Sequence, residues 1–215
     1  MKKSALKIAT FVVAMLTISL GSFAQSFEGV IEFKKTTSID TNNYVYYVKG
    51  GLVRIDEIGA KSHKVEGTFL INLDNKTMKS LNHDRKLYMD QAAPAPRAIK
   101  GTCTVKKGTT VKNLQGYKCS EYVVSNTEEG TVITYYLADG KFTFFDKLLN
   151  QLNRKEKSSI YFLQIKDVKN TFPMLSEQTD MTGKKTEVLE VTKITNKALD
   201  NSMFEIPKGY KPFEK

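Results

Sequence analysis

The sequence contains no tryptophan, only two histidines and only two cysteines in 215 residues. It also lacks a Gly-x-Ser-x-Gly elbow, a His-Glu-x-x-His helix and a Gly-rich phosphate loop, which argues against the commonest hydrolase, zinc-protease and nucleotide-binding sites. His63 and His83 each lie in a polar turn, outside any recognisable ligand pattern. We therefore expect no catalytic residue, no metal site and no cofactor, and we predict that the protein is not an enzyme.

Two observations define what an enzymatic alternative requires. Neighbouring acids such as Asp56 and Glu57 point to opposite faces of a strand, so they cannot share one catalytic site there. A hydrolase site would need a folded pocket that brings His63 or His83 against a carboxylate and a hydroxyl.

Long hydrophobic runs are also rare. The run Ile8–Leu20 follows three lysines and ends before Ser22-Phe23-Ala24. A helix of this length rises about 20 Å, short of the roughly 30 Å hydrocarbon core of a bilayer. The pattern predicts a signal peptide over residues 1–24, cleaved near Ala24, and export to the periplasm or beyond. An uncleaved short anchor is the alternative.

The chain after residue 24 shows no further membrane signal. No cysteine follows the cleavage point for lipidation, and no other segment is apolar enough to span a membrane. We therefore expect a soluble mature chain of one domain, residues 25–215.

Export also bears on the cysteines. Cys103 and Cys119 are not part of a Cys-x-x-Cys motif, which argues against a redox pair. An even number of cysteines in an oxidising compartment favours a disulfide, so we expect a Cys103–Cys119 bridge. It would close a loop of about 15 residues and add about 3 kcal/mol in the chain-entropy model. Two reduced structural thiols and a metal pair are the alternatives.

The charge balance is basic, with 33 Lys and Arg against 23 Asp and Glu and a net charge of +10. Export and the scattered distribution argue against a nucleic-acid partner. Two small clusters either attract anionic lipid head groups or are solvated surface charge. They are Lys106-Lys107 with Lys112, and Arg154-Lys155 with Lys157.

Period-2 alternation of apolar residues predicts a mostly β protein. Gly50-Gly51 predicts one hairpin turn, and a Pro/Ala-rich stretch at 91–101 predicts a surface loop within the domain. The first six predicted strands make a meander: Phe27–Lys34, Tyr44–Val48, Leu52–Ile58, Thr68–Leu73, Thr77–Leu81 and Arg85–Met89. Later strands are predicted at Cys103–Lys106, Thr110–Leu114, Tyr117–Ser125, Thr131–Ala138, Phe172–Gln178, Thr186–Ile194 and the tail Met203–Tyr210.

Residues 145–155 show the periodicity of an amphipathic helix, with Lys147 and Arg154 on its polar side. Residues 158–165 fit helix or strand. The apolar face is either core or a set of ligand or lid contacts, and consists of Phe144, Phe145, Leu148, Leu149 and Leu152.

A long meander with such a helix predicts a mainly β (α+β) fold. We expect a single strongly curved antiparallel sheet, or incomplete β-barrel, with one or two helices against its concave face. Such a shape either fills with side chains or leaves an apolar cavity.

Tyrosines cluster on two predicted strands, at Tyr44, Tyr46 and Tyr47 and at Tyr135 and Tyr136. Because neighbouring residues of a strand alternate faces, each cluster places aromatic rings on both sides of the sheet. One side is expected to pack in the core. The other needs a helix, a partner or a ligand.

Residues 114–122, Leu-Gln-Gly-Tyr-Lys-Cys-Ser-Glu-Tyr, resemble the Gly-Tyr-x-Cys-x-x-Tyr signature of a bacterial exported family, the domain of unknown function 4412. Phe27-Glu28-Gly29, residues 70–77 and residues 204–210 also resemble that family. Such proteins are similar to periplasmic lipoprotein carriers of the LolA and LolB type. The resemblance implies an incomplete antiparallel barrel, with helices on a concave side where an acyl chain binds. The family has no established activity, and hence no catalytic residues to transfer.

These observations leave two leading hypotheses. The first is an envelope protein that binds a lipid or lipoprotein acyl chain, with the helix at 145–155 as a lid and Lys147 and Arg154 near head groups. The second is a protein–protein interaction module that uses an exposed strand edge or the tyrosine-rich hairpins.

Overall fold

A computed structural model describes residues 26–92, 95, 98–153, 155–166 and 168–213. The predicted signal peptide and Arg154 lie outside these ranges. Among the described residues, no helix is both long and apolar enough to cross a bilayer.

Strands dominate the described residues. The twelve strands are β1 (Glu28–Thr37), β2 (Thr41–Lys49), β3 (Leu52–Ile58), β4 (Val65–Asn72), β5 (Thr77–Asn82), β6 (Leu87–Asp90), β7 (Thr104–Leu114), β8 (Tyr117–Asn126), β9 (Thr131–Ala138), β10 (Phe172–Asp180), β11 (Lys185–Asn196) and β12 (Lys211–Pro212). They form one sheet in the order β12-β6-β5-β4-β3-β2-β1-β11-β10-β9-β8-β7. All pairs are antiparallel except β12 with β6.

The predicted meander is confirmed, since β1 to β6 are neighbours in chain order. Gly50 turns β2 into β3 with φ 57°, a conformation that glycine adopts without steric cost. The sheet curves but does not close, because β6 with β12 forms one edge and β7 the other. The predicted curved, incomplete barrel is therefore confirmed in its open form. The Pro/Ala-rich stretch links the two opposite edges.

Strand β1 pairs with β11, and this pairing joins the meander β1–β6 to strands β7–β11. Gly29 lies at this seam with φ 154°, and a Cβ there would come within 2.1 Å of the Thr195 carbonyl oxygen. A larger residue at position 29 would therefore push the two strands apart. The register shifts by one residue between Glu32 and Phe33, which bends the sheet at this point.

Two α-helices lie among the described residues, α1 (Phe145–Leu152) and α2 (Lys157–Phe162). The predicted amphipathic helix is confirmed but shorter, because Asn153 turns left-handed with φ 43° and ends it. The stretch at 158–165 that fitted helix or strand is helical over 158–162, as part of α2. Both helices pack on the face of the sheet that carries Ile31, Tyr46 and Ile55, which is the concave side.

The predicted Cys103–Cys119 disulfide is wrong, because both cysteines are free. Cys119 pairs across the hairpin with Lys112, whereas Cys103 precedes Thr104, which pairs with Ser125. Cys119 and Ser125 are six positions apart on β8, so the two cysteines lie about 20 Å apart along the hairpin at 3.3 Å per residue. A disulfide needs Cα atoms within about 7 Å, so the hairpin register forbids the bond.

The predicted strand at the tail, Met203–Tyr210, is also wrong. A 3-10 helix spans Asn201–Phe204, and the chain pairs again only at β12. Residues 197–213, here called the C-terminal strap, cross from β11 to β6 on the convex face. Lys49 donates to the Leu199 carbonyl at 2.5 Å. These distant contacts, which local alternation does not encode, hold the strap in place.

Candidate ligand cavity

An apolar cavity of about 90 Å³ lies between the two helices and the concave face of the sheet. Strands β1, β2, β10 and β11 form its floor. Its apolar wall consists of Phe33, Tyr44, Tyr46, Phe145, Leu149, Leu152, Phe172, Pro173, Leu189 and Val191. Its polar lining consists of Lys35, Glu156, Ser158, Ser159 and Glu190. The space is therefore apolar at its base with a charged rim.

The structure divides the five predicted lid contacts into two groups. Phe145, Leu149 and Leu152 line the cavity. Phe144 instead stacks near Phe172, with ring centroids 6.0 Å apart, and Leu148 is completely buried away from the cavity. All five are core residues in this conformation, and contact with a ligand stays a prediction. Lys147 is exposed on the outer side of α1.

Helix α1 is held to the sheet mainly by apolar contacts. Its four buried side chains are Phe145, Leu148, Leu149 and Leu152. The polar tie between the helix and the sheet is Gln151, whose Nε2 donates to the Thr77 carbonyl at 2.9 Å and reaches the Asn72 carbonyl at 3.4 Å. Phe144, the N-cap residue of α1, provides no side-chain hydrogen bond to the start of the helix.

Helix α2, in contrast, is pinned by a buried polar cluster. The Tyr135 hydroxyl donates to the Ser158 carbonyl at 2.7 Å, and Lys157 donates to the Thr131 hydroxyl at 2.6 Å. The Tyr161 hydroxyl donates to the Glu129 carboxylate at 2.8 Å. Burial raises the pKa of Tyr135 well above its usual value, and burial with the Glu129 carboxylate raises the pKa of Tyr161. Both phenols therefore stay protonated and keep donating at neutral pH.

A wider groove of about 640 Å³ adjoins the cavity on the other side of Leu152. Its floor comes from β4 and β5, through Phe69 and Met78, and its rim from Gln91 and Ala92 at the start of the Pro/Ala-rich loop. Leu152 lines both spaces. Glu156, before α2, lines both spaces as well, so Leu152 and Glu156 together lie between the cavity and the wider groove.

Strand alternation places the tyrosines as the sequence predicts. Tyr46 and Tyr44 face the cavity, whereas Tyr47 faces the convex side, where the Arg54 guanidinium lies 5.5 Å from its ring centre. On the other cluster, Tyr135 is buried under α2 and Tyr136 lies on the opposite face. The convex rings are thus covered by cationic side chains rather than by a helix.

The contributions of β1, β10 and β11 to the cavity were not visible in the sequence. Phe33, Leu189 and Val191 each fit an alternating strand, which is the one signal available. Their convergence depends on the pairing of β1 with β11 and on a one-residue bulge, and neither can be deduced from local pattern.

His83 does meet a hydroxyl and a carboxylate, on the convex side of the sheet. Its Nε2 lies 2.8 Å from the Thr68 hydroxyl, which donates to Asp56 at 2.6 Å. Because that hydroxyl already donates to the carboxylate, it accepts from His83 Nε2–H, and His83 Nδ1 faces the Tyr210 hydroxyl at 2.6 Å. Arg54 pairs with the same carboxylate at 2.8 Å.

This chain of groups does not have the order of a nucleophilic triad. The hydroxyl lies between acid and imidazole, so the imidazole cannot take its proton while the acid orients the ring. Thr68 is 1% exposed and Asp56 2% exposed, which removes both from contact with a substrate. The network instead attaches the C-terminal strap to β3 and β4. His63 lies exposed in the β3–β4 turn. Among the described residues, no three His, Cys, Asp or Glu side chains converge as a metal site would require.

Comparison with known proteins identifies a family. The model of the family described as Domain of unknown function (DUF4412) matches residues 27–210. A search of curated proteins finds no match.

Solved structures show a shared fold. An uncharacterized conserved protein from Thermus thermophilus superposes with a TM-score of 0.54 at 10% identity, covering 89% of this chain and 93% of that one. A DUF1329 family protein from Desulfovibrio piger has a TM-score of 0.37 at 10% identity, covering 84% of this chain and 90% of that one. A putative outer membrane lipoprotein-sorting protein domain from Vibrio parahaemolyticus has a TM-score of 0.34 at 7% identity, covering 85% and 90%. The first shows a common fold, and the other two are too distant to support an argument.

Proposed function

We propose that this chain, which belongs to the family described as Domain of unknown function (DUF4412), is an exported, non-catalytic protein of the cell envelope that binds an acyl chain under helix α1. One observation carries the proposal, namely the apolar cavity beneath a helix that is attached chiefly by apolar contacts. The ligand class is a lipid or the acyl chain of a lipoprotein.

The size of the cavity sets the mechanism. Its volume of about 90 Å³ is below the roughly 150 Å³ of an engineered cavity that holds one benzene molecule. A long acyl chain therefore needs the cavity and the neighbouring groove to merge. Leu152 and Glu156 lie between the two, so displacement of the end of α1 would move Leu152 aside and join the two spaces.

The free energies favour replacement of the α1 contacts by an acyl chain over opening of the empty protein. Exposing the four buried side chains of α1 costs about 1.5–3 kcal/mol each, or about 6–12 kcal/mol in total. Burying about twelve methylene groups of an acyl chain returns about 10 kcal/mol at 0.8 kcal/mol per group. The ligand thus replaces the helix contacts at little net cost, whereas the empty protein stays closed.

The polar cluster under α2 makes α2 the fixed helix and leaves α1 as the movable lid. Lys157, Tyr161 and the Ser158 carbonyl all bind the β9 side of the sheet, so α2 stays in place while α1 moves. The link between the two helices begins at Asn153, whose left-handed conformation already breaks the helical path. Asn153 is therefore the point at which the C-terminal end of α1 can move relative to α2.

The test is solvent extraction of the protein purified from the cell envelope, followed by mass spectrometry of the extract. We expect an acyl-bearing compound from the wild type. Ser159→Phe should lose it, because this half-buried α2 residue lines the cavity and a phenyl ring would fill the space. Ser159→Ala is the matched control and should retain it. No acyl compound from the wild type, together with no palmitate uptake by the extracted protein, would contradict the proposal.

A second candidate function rests on the edge strand β7. This strand pairs with β8 on one side, and Val105 and Val111 are 36% and 50% exposed. An extended segment of an envelope partner could add to this edge through main-chain hydrogen bonds. Cross-linking in intact cells from position 105 distinguishes the candidates, because one protein adduct without bound lipid favours the edge. Val111→Pro should then abolish the adduct.

A further inference from the structure

The outer side of the helical layer carries a surface that acyl binding does not use. A groove of about 400 Å³ runs between α1 and the segment after α2. Phe162, Ile165 and Val168 form its apolar floor, and Lys166 and Lys169 stand at its rim. Leu163, also at the rim, is 38% exposed. An exposed leucine beside lysines is a combination suited to the boundary between water and lipid.

The net charge of this part of the chain is positive. Residues 139–170 contain seven Lys and Arg against four Asp and Glu, a net charge of +3. Lys147, Lys166 and Lys169 are exposed, whereas the acid facing the groove, Asp146, is partly buried near Lys169. Within the described residues, Lys147 and Lys166 form no ion pair. Both side chains are exposed and can reach an external anionic surface.

We propose that this outer groove, with Lys166, Lys169 and Leu163 at its rim, docks on an anionic lipid surface together with the exposed Lys147, which follows the groove residue Asp146 in α1. The lysines reach the head groups and Leu163 enters the interface between head groups and acyl chains. The docking surface itself does not depend on acyl binding and can be tested without it.

The experiment is co-sedimentation of the purified protein, its N-terminus fixed by mass spectrometry, with phospholipid vesicles. Vesicles of phosphatidylglycerol in phosphatidylcholine should bind it at low salt, and phosphatidylcholine alone should not. Binding should be lost in about 1 M NaCl, where the Debye length is about 3 Å. Binding to both vesicle types, or to neither, would overturn the proposal.

A charge-matched pair of variants localises the effect. Neutralising Lys147, Lys166 and Lys169 to glutamine should weaken partitioning roughly 100-fold, at about a fivefold loss for each lysine near the surface. The control neutralises Lys61, Lys106 and Lys208, which are exposed on other elements. It removes the same charge and should retain most of the binding. Equal losses in both variants would show a delocalised charge effect and would overturn the proposed surface, as would unchanged binding in the first.

Discussion

Replacing Leu149 by alanine removes part of the cavity wall, and its neighbour Leu148 offers a matched control on the same helix. Leu149 is 6% exposed and lines the cavity, whereas Leu148 is fully buried and does not. Both substitutions delete the same atoms from α1. They differ only in whether the space they leave joins an existing cavity.

The magnitudes separate the two variants. Leu→Ala substitutions in cores cost about 2.7–5 kcal/mol, with about 24 cal/mol per Å³ of residual cavity, so the range corresponds to at most about 100 Å³ of new space. Added to about 90 Å³, the Leu149→Ala cavity would approach 190 Å³. The Leu148→Ala cavity stays near or below about 100 Å³. Only the first exceeds the roughly 150 Å³ that holds benzene.

The assay is thermal unfolding of both variants with and without saturating benzene. Benzene should raise the melting temperature of Leu149→Ala, because a ligand at 100 times its Kd stabilises by about 2.7 kcal/mol. Leu148→Ala should show no comparable shift. Leu149→Ala should also lose less stability without benzene, since its side chain already borders empty space. Equal benzene shifts in both variants, or a shift in Leu148→Ala alone, would refute the placement of the cavity.

Three further predictions concern other parts of the molecule. Because the pKa of Tyr135 is raised in the folded state, the unfolded state loses this proton first, and Tyr135 alone should lower the stability by about 1.4 kcal/mol per pH unit above about pH 10, in addition to the effect of Tyr161, which has the same sign; a Tyr135→Phe variant that melts with the same alkaline slope would contradict this. Tyr210→Phe should cost about 1 kcal/mol in urea unfolding, because His83 Nδ1 loses its partner, and no loss would argue against the strap attachment. Without reductant, the unfolded protein should give two thiols by dithionitrobenzoate titration, and in the native state Cys103 should react before the buried Cys119. A thiol count near zero in the unfolded protein would show that the disulfide does form.

Local sequence pattern is sufficient for the strands as far as β11 and for the first helix. Alternation over β1 to β5 has a single register that buries one face, so the meander follows from the sequence alone. The apolar spacing from Phe145 to Leu152 likewise allows one packed side. The confirmed parts of the prediction are those in which every residue needed is a chain neighbour.

Features that depend on distant pairing could not be predicted in this way. The disulfide was expected from the even number of cysteines in an exported chain, but the register of β7 with β8 decides how far apart the two cysteines lie. The tail alternates like a strand, yet contacts with Lys49, Arg54 and His83 fix it as a strap. The cavity depends on β1 meeting β11 with a bulge beside Phe33. Each of these outcomes is set by tertiary contacts that no local pattern reports.

The central claim is that an acyl chain binds beneath α1. The most direct measurement is NMR of the protein with ¹³C-labelled palmitate, observing Overhauser contacts between the chain and side-chain methyl groups. The proposed function predicts saturable binding with contacts to Leu149, Leu189 and Val191, all of which line the cavity. No saturable binding, or contacts confined to the exposed Leu163 and Val111, would contradict it.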